Sequence, residues 1–372
     1  MADLKDHIDD ASITRLAAAL TRVHPAFPAA DFRAAAGRGL KPLALKQRVS
    51  AVSAQLARFL PEPFPHAARV LREAVAATPL DMWSGWPATD YVAVHGLAHP
   101  DDALAALAAL TPHATAEFAI RPYLAAHPER TLAQVHIWAT DPDQHLRRLA
   151  SEGSRPRLPW ASRVPMLADP QVTLPVLNRL HDDPELYVRR SVANHLNDIT
   201  KDHPDVALAT ARRWAASGGD GTAWVIRHAL RSLVKQGHPE ALGLLGFDHG
   251  ADVTVTGLTV TPATLPIGGQ VTIAFTLTAD TGVRAAVDYV VHHAGARGPR
   301  APKVFKLTTA DIEPGLPRQI TRRHTFQHVS VRRLYPGPHR IDIQVNGRIL
   351  AGTEITLQDG DRAGAGTPAT ER

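Results

Sequence analysis

Two glutamates, an arginine pair and a tryptophan stand in the middle of the chain: Glu117, Glu152, Arg147, Arg148 and Trp160. Paired carboxylates can stabilise the positive charge that develops on a sugar as a glycosidic bond breaks, and they can position the attacking water. An indole offers an aromatic face to a cation, and arginines hold phosphates. The residue types are therefore those needed for hydrolysis of a glycosidic bond beside a phosphate backbone.

Each of these residues also has a simpler explanation. Glu117 could be a first-turn helix carboxylate favoured by the helix dipole. Glu152 could pair with Arg148 at helical i, i+4 spacing, and Trp160 could be an ordinary core aromatic. Taken one at a time, the residues leave both interpretations open.

The elements that must position these residues are helices. From the N-terminus to about residue 247 the chain is rich in Ala and Leu, and residues 13–20 and 49–60 place apolar side chains three and four apart. Three prolines within residues 61–65 cannot continue a helix. We predict a helical domain over residues 1–247.

A repeat runs through this helical region. Residues 143–150, 184–193 and 221–230 resemble one another at spacings of about 40 residues, the period of HEAT-type helical pairs. Stacked units of this kind form a solenoid with a concave face, along which the basic side chains of successive repeats form a phosphate-binding track. The basic positions are Arg147, Arg148, Arg189, Arg190, Arg227 and His228. The alternative is that they are solvated helix surface or form salt bridges at the rim.

The pattern of apolar and polar residues in the sequence changes near Asp248. Residues 253–260, 271–278 and 286–292 alternate with period two and favour β-branched side chains, and further strands are expected near 303–308, 318–326, 340–345 and 349–357. Asn346-Gly347 predicts a type I′ hairpin turn between the last two. We predict an immunoglobulin-like β-sandwich over residues 250–358, and a disordered tail over residues 359–372.

Several arginines of the β domain cluster around one expected loop, residues 327–338. They include Arg322, Arg323, Arg332 and Arg333. A basic loop on a sandwich that follows a nucleic-acid cradle could close over the opposite side of a duplex. A solubilising set of edge charges is the competing explanation.

Composition excludes several classes of chemistry. Cysteine is absent, which excludes disulfides, zinc thiolates, iron–sulfur clusters and cysteine nucleophiles. The chain has no Walker loop, dinucleotide glycine fingerprint, zincin motif or nucleophile elbow. It also lacks an apolar run of about 18 residues and a secretion signal, so neither a membrane span nor export is expected. The net charge of +5 is compatible with a nucleic-acid partner.

Four segments carry a resemblance to a known family. They are residues 115–123 (TAEFAIRPY), 146–160 (LRRLASEGSRPRLPW), 188–204 (VRRSVANHLNDITKDHP) and 224–231 (WVIRHALR). The sequence resembles the HEAT-repeat alkylpurine DNA glycosylases, specifically the AlkC branch, over residues 80–247 and more loosely before that. A C-terminal immunoglobulin-like domain is also similar to that of one subgroup of the branch.

The resemblance implies a DNA glycosylase of base excision repair that releases cationic alkylated bases such as N3-methyladenine from duplex DNA. Glu117 and Glu152 would be the catalytic carboxylates, Trp160 would press against the lesion's sugar, and Arg148 would hold the adjacent phosphate. Neither a metal nor an organic cofactor is implied, and the base need not enter a deep pocket. We further expect a monomer in a bacterial cytosol, associated with the nucleoid.

Three other functions compete with this one. A degenerate family member could sense lesions without hydrolysing them, but the two glutamates argue against it. A non-catalytic HEAT scaffold would bind DNA or protein without base release. A carbohydrate-active enzyme could use the two carboxylates, but helical solenoids rarely offer a deep sugar cleft and the net charge is basic. The scaffold is the strongest alternative.

Overall fold

The computed structural model describes residues 3–216, 218–296, 298–328 and 333–359. By internal contacts the chain divides into two compact units, Met1–Ala229 and Leu230–Arg372. Unit 1 is helical and unit 2 is rich in strands, as the sequence predicts for an α-helical domain followed by a β domain. The predicted tail lies outside the described residues except for Asp359.

Unit 1 consists of helices joined by short turns. Three 3-10 turns span Leu4–His7, Pro165–Ala168 and Pro170–Val172. The helices are α1 (Asp10–Val23), α2 (Ala29–Ala36), α3 (Leu45–Phe59), α4 (Phe64–Ala77), α5 (Met82–His95), α6 (Pro100–Leu110), α7 (Arg121–Ala126), α8 (Pro128–Trp138), α9 (Gln144–Glu152), α10 (Leu174–Leu180), α11 (Leu186–Ile199), α12 (Pro204–Ala215) and α13 (Asp220–Ala229).

The helix boundaries follow local chemistry. Helix α1 begins after Asp9, whose carboxylate accepts a hydrogen bond from the Ser12 amide while the Ser12 hydroxyl satisfies the Asp9 amide. Helix α3 ends at Phe59, just before the run of prolines, and α4 begins after Pro63. Both helices predicted from apolar spacing in these regions are confirmed.

The three repeat segments lie on equivalent helices. Helix α9 packs on α11, and α11 packs on α13, while α10 and α12 form the alternating layer beside them. The buried side chains of α11 include Val188, Val192, Leu196 and Ile199, which recur at helical spacing. This stacking places α9 and α11 side by side, where the candidate site is found.

Unit 2 contains two helices followed by a β-sandwich. The elements are α14 (Arg231–Lys235), α15 (Pro239–Leu244), β1 (Thr254–Thr261), β2 (Thr264–Pro266), β3 (Gln270–Thr278), β4 (Val283–His292), β5 (Ala294–Gly295), β6 (Gly298–Pro299), β7 (Lys303–Ile312), β8 (Arg318–Thr325), β9 (Gly337–Val345) and β10 (Arg348–Gln358). The two sheets of the sandwich have the orders β1-β3-β8 and β2-β10-β9-β4-β7, and β5 and β6 form a separate two-stranded sheet. The strands predicted from alternation are confirmed within a few residues at their ends.

The sandwich core comes from the alternating residues of facing strands. In β3, Val271, Ile273, Phe275 and Leu277 are buried, and the residues between them are partly exposed. Asn346 and Gly347 both have positive φ, 45° and 81°, which is the geometry of the predicted type I′ turn between β9 and β10.

Helices α14 and α15 pack with the sandwich. Leu242 and Phe247 form a small apolar cluster with Ala286 of β4, and the Gln344 amide donates to the Lys235 carbonyl. The helical texture of the sequence runs to about residue 247, but these contacts group residues 230–247 with the strands.

Candidate active site

Helix α9 carries two of the predicted site residues. The Asp143 carboxylate accepts from the His145 amide and caps the helix at its N-terminus. Arg148 and Glu152, four residues apart, fall on the same face, and their charged groups approach to 3.8 Å. The i, i+4 pairing considered for Glu152 is therefore present, but it is only one of the contacts that Glu152 makes.

Glu117 is brought to Arg148 by the turn that precedes α7. Arg148 Nη1 lies 2.5 Å from Glu117 Oε2. The same nitrogen donates to Thr115 Oγ1 at 2.8 Å, and Thr115 Oγ1 donates to Glu117 Oε2 at 3.0 Å. Glu117 precedes α7, which begins at Arg121, so the explanation as a first-turn helix carboxylate is wrong.

Glu152 is held from its other side by Arg155. Arg155 Nη1 donates to Glu152 Oε1 at 2.7 Å, and its Nε and Nη2 donate to the two carboxylate oxygens of Asp198 at 2.9 and 3.2 Å. Glu152 is only 6% exposed. Burial raises the pKa of Asp198 despite the opposing effect of Arg155. Burial alone would lower the pKa of Arg148, but the charges of Glu117 and Glu152 raise it.

These contacts form one row of alternating charges, which we call the charged row: Glu117, Arg148, Glu152, Arg155 and Asp198. Three carboxylates and two guanidiniums leave the row with one excess negative charge (three minus two). Among the described residues, none donates a hydrogen bond to Oε1 of Glu117 or to Oε2 of Glu152. Neither oxygen is among the fully buried polar atoms that lack a hydrogen-bond partner. Both oxygens are thus available to a ligand or a water molecule.

Trp160 lies in the loop after α9, and its side chain is 67% exposed. Its φ is 65°, in the left-handed region that an L side chain rarely adopts. The alternative that Trp160 is a core aromatic is wrong. An exposed indole on a strained backbone indicates a position maintained for contact with something outside the protein.

A buried arginine of the first family-like segment fixes this loop. Arg121, 2% exposed, donates through Nη1 to the carbonyls of Gly153 and Arg155 and through Nε to the carbonyl of Ser162. Burial, with the charges of Arg163 and Arg155, lowers the pKa of Arg121 to about 10. The side chain therefore stays protonated at neutral pH and keeps all three bonds.

Lys46 of α3 connects the loop to the glutamate side of the site. Its ammonium donates to the Trp160 carbonyl and stands 4.9 Å from the centroid of the Phe118 ring, next to Glu117 in the chain. The Phe118 ring in turn stacks on Trp86, with centroids 5.8 Å apart. Lys46 thus contacts both Trp160 and the residue next to Glu117, a proximity that the sequence around neither residue indicates.

Tyr187, at the second position of α11, borders the charged row. Its ring is 5.3 Å from the Arg148 guanidinium carbon, and the residue is 38% exposed. Burial raises the pKa of the Tyr187 hydroxyl, Arg148 opposes this rise, and Glu117 and Glu152 add to it. The phenol is therefore neutral at neutral pH and presents an aromatic wall beside the carboxylates.

The arginine pairs divide between two environments. Arg147 Nη1 donates to the carbonyls of Asp141 and Pro142, and Arg189 Nη1 donates in the same way to those of Asp183 and Pro184. Arg147 also binds the Asp183 carboxylate at 2.6 and 3.2 Å. These two guanidiniums bind the backbone just before α9 and α11. Phosphate contact by Arg147 and Arg189 stays a prediction and would have to use the part of each guanidinium that is not engaged in these bonds.

The other basic positions of the repeats are more open. Arg190 and Arg227 are exposed, and His228 stacks on Trp224 with ring centroids 4.9 Å apart. The predicted DNA contacts of all three residues stay predictions.

In unit 2 the predicted arginine cluster is spread over two faces. Arg322 and Arg323 are exposed neighbours on β8, an edge strand, where successive side chains point to opposite sides. Arg333 is exposed and lies 5.8 Å from the Tyr335 ring, and Arg332 lies outside the described residues. DNA contact by this set stays a prediction.

Sequence reasoning missed several residues that the structure places at the site. Thr115 and Arg155 stand inside the family-like segments but were given no role, and Asp198 and Tyr187 stand in the segments that include α11. Lys46 carried no signal at all. Residue type within a matched segment could have suggested Arg155 and Asp198, because a buried charge needs a partner.

Among the residues that the structure describes, two features are absent: a helix able to cross a membrane and a metal-binding group of side chains. No helix in this part of the chain is long and apolar enough to cross a bilayer. Nor does it bring three histidine or acidic side chains together in a metal-binding group.

Comparison with known proteins agrees with this architecture. Residues 254–359 match the family model described as the C-terminal immunoglobulin-like domain of the uncharacterised protein YhaZ. The chain is 36% identical over 351 residues to the uncharacterised protein YhaZ of Bacillus subtilis (strain 168), covering 94% of this chain and 98% of that protein.

A solved structure matches nearly the whole chain. It is the alkylpurine DNA glycosylase AlkC of Pseudomonas fluorescens, bound to DNA containing an abasic-site analogue. The TM-score is 0.90 at 39% identity, over 96% of this chain and 100% of that chain. The fold and site thus define a protein with a helical glycosylase-type domain and an immunoglobulin-like domain. The chain belongs to the AlkC branch of the alkylpurine DNA glycosylases, as its family-like segments predicted.

Proposed function

We propose that the protein is a monofunctional DNA glycosylase that hydrolyses the N-glycosidic bond of cationic alkylated bases, such as N3-methyladenine, in duplex DNA. The observation that carries this proposal is the charged row. It has one excess negative charge and two carboxylate oxygens, on Glu117 and Glu152, that accept no hydrogen bond from any residue the structure describes. An anionic excess of this kind favours a substrate whose base or sugar is positively charged.

The chemistry is a hydrolysis in which all atoms are accounted for. The bond between C1′ and the base nitrogen breaks, and its electron pair stays with the base and neutralises the base's positive charge. Water adds through its oxygen to C1′, whose positive charge in the transition state is stabilised by Glu117 and Glu152. One of the two carboxylates accepts the water proton and later releases it to solvent.

The remaining groups provide contact with the DNA. The exposed indole of Trp160 would press on the sugar or the cationic base, and the outer surface of Arg148 would hold the neighbouring phosphate. Arg190, Arg227 and His228 would continue along the backbone. The solved relative supports a DNA partner, because that protein was captured on DNA containing an abasic-site analogue. Both relatives are bacterial, and we propose a monomer acting at the nucleoid in the cytosol.

Base release from methylated duplex DNA tests this function. Purified protein is incubated with the DNA and the released bases are separated by chromatography. We expect wild type to release N3-methyladenine and Glu152→Gln to lose about 100-fold or more of the single-turnover rate, because the isosteric amide removes the charge. Trp160→Ala should also be slower.

The matched control is Glu129→Gln, an exposed carboxylate in the first turn of α8. It should release base at the wild-type rate. Binding to the duplex with no base release by wild type would instead support the non-catalytic scaffold and overturn the proposal.

A further inference from the structure

Thr115 stands between the two charged groups that begin the charged row. Its hydroxyl oxygen accepts from Arg148 Nη1 at 2.8 Å and from the Glu117 amide at 3.3 Å. It lies 3.0 Å from Glu117 Oε2, to which it donates. All three contacts meet at one partly buried atom.

The direction of each hydrogen bond is fixed by chemistry. A guanidinium and a backbone amide only donate, so both must use lone pairs of the Thr115 oxygen. The one hydroxyl proton is then left for Glu117 Oε2, which accepts it. The Thr115 hydroxyl therefore holds the Glu117 carboxyl group in a single orientation.

This arrangement assigns separate tasks to the two oxygens of Glu117. Oε2 receives the Thr115 hydroxyl and the Arg148 guanidinium, while Oε1 has no partner among the described residues. Partial rotation of the carboxylate would break both bonds at once. Oε1 is thereby left as the oxygen that can receive a ligand.

We propose that Thr115 is a positioning residue, which orients the carboxyl group of Glu117 so that Oε1 is the oxygen presented to the substrate. This inference rests on the proposed glycosylase function. Thr115 acts through Glu117 and makes no contact with DNA in the proposal. The hydroxyl should therefore affect the chemical step and leave DNA affinity unchanged.

Two substitutions of Thr115 test the proposal. Thr115→Val keeps the side-chain shape and removes the hydroxyl, and we expect the single-turnover rate of N3-methyladenine release to fall about 10- to 100-fold, the range for losing a hydrogen bond to a charged group. Affinity for a duplex with an abasic-site analogue and the Tm should stay at wild-type values. Thr115→Ser retains the hydroxyl and should restore the rate to within a few-fold of wild type.

The control is Thr131→Val, which removes a buried hydroxyl of α8 that donates to the carbonyl of His127, the residue before this helix. It should leave the rate unchanged. The proposal is overturned if Thr115→Val keeps the wild-type rate, if Thr115→Ser is as slow as Thr115→Val, or if rate, affinity and Tm fall together. A wild-type protein that releases no base would refute the glycosylase function itself, which is a separate result.

Discussion

At the scale of single residues, Arg148 organises the site. It contacts Glu117, Glu152, Thr115 and the ring of Tyr187, and it is the only described residue that joins the glutamate of the turn to the glutamate of α9. A guanidinium can do this because its donors are fixed in a plane and point in several directions. The ring of Tyr187 packs against this guanidinium.

This geometry predicts different effects for two changes at Tyr187. Tyr187→Phe keeps the ring over Arg148 and should release base at close to the wild-type rate. Tyr187→Ala exposes the guanidinium to water and should slow single-turnover release about 3- to 30-fold, corresponding to the usual range of a cation–π contact. Equal rates for both variants would show that the ring does not support the site. Tyr335→Ala, in unit 2, is a control for loss of an aromatic contact with arginine.

At the scale of elements, the site depends on a loop without regular structure. Within residues 153–162, Arg121 binds the carbonyls of Gly153, Arg155 and Ser162, and Lys46 binds the carbonyl of Trp160. A buried loop needs such partners, because carbonyl groups cannot be left unsatisfied away from water. The backbone around Trp160 is therefore held by residues on two other elements, Arg121 of α7 and Lys46 of α3.

Removing the Arg121 side chain should weaken unit 1. Arg121→Met leaves three carbonyls without their donor, and we expect the free energy of unfolding to fall by about 2–4 kcal/mol. Urea titration followed by tryptophan fluorescence measures it, since all six tryptophans lie before residue 230. As a control, Arg157→Gln removes an exposed ion pair with Asp202 and should cost less than about 1 kcal/mol. An equal loss in both variants would contradict the role given to Arg121.

Local sequence segments could predict some residues of the site but not the contacts between distant elements. The family-like segments identified Glu117, Arg148, Glu152 and Trp160, because they are local runs with an unusual composition. The contact of Lys46 with Trp160 joins residues 114 positions apart, and no periodicity reports such a contact. The partners of Arg147 and Arg189 were also hidden, because a backbone carbonyl has no signature in the sequence.

At the scale of the whole molecule, the two units contain buried ionisable groups with opposite responses to pH. In unit 1, His195 is fully buried and donates through Nδ1 to the Ser151 carbonyl, and burial lowers its pKa to about 3. Its contribution to stability is present above pH 6.5 and is lost as the pH falls towards 3. In unit 2, burial raises the pKa of Asp288 on β4 to about 6, against the charges of Lys306 and Lys235.

The sign for Asp288 follows from its raised pKa. Between pH 3.8, the ordinary pKa, and about 6, Asp288 is protonated in the folded state and ionised in the unfolded state. Its contribution to the free energy of unfolding is therefore complete below pH 3.8 and is lost as the pH rises through 6. We predict that Asp288→Asn raises the free energy of unfolding of unit 2 at pH 7.5 by about 2–3 kcal/mol and has little effect at pH 4. Differential scanning calorimetry at both pH values measures this.

Tryptophan fluorescence of the same samples reports unit 1 and serves as the internal reference. A stabilisation by Asp288→Asn that is equal at both pH values would show that the effect is not due to ionisation.

The boundary between the two units depends on packing rather than on local sequence. Apolar spacing extends the helical region to about residue 247, whereas packing groups α14 and α15 with the strands, and only tertiary contacts can make that distinction.

The long reach of the Lys46 and Asp198 contacts has a consequence for synthesis. A nascent chain emerges from its N-terminus, and the last member of the charged row, Asp198, becomes available only after the helices from α1 to α10 have left the ribosome. Lys46 must likewise wait for Trp160. A polypeptide interrupted before that point lacks the complete set of groups proposed for base removal, so unfinished copies of this protein should be unable to create abasic sites in the genome.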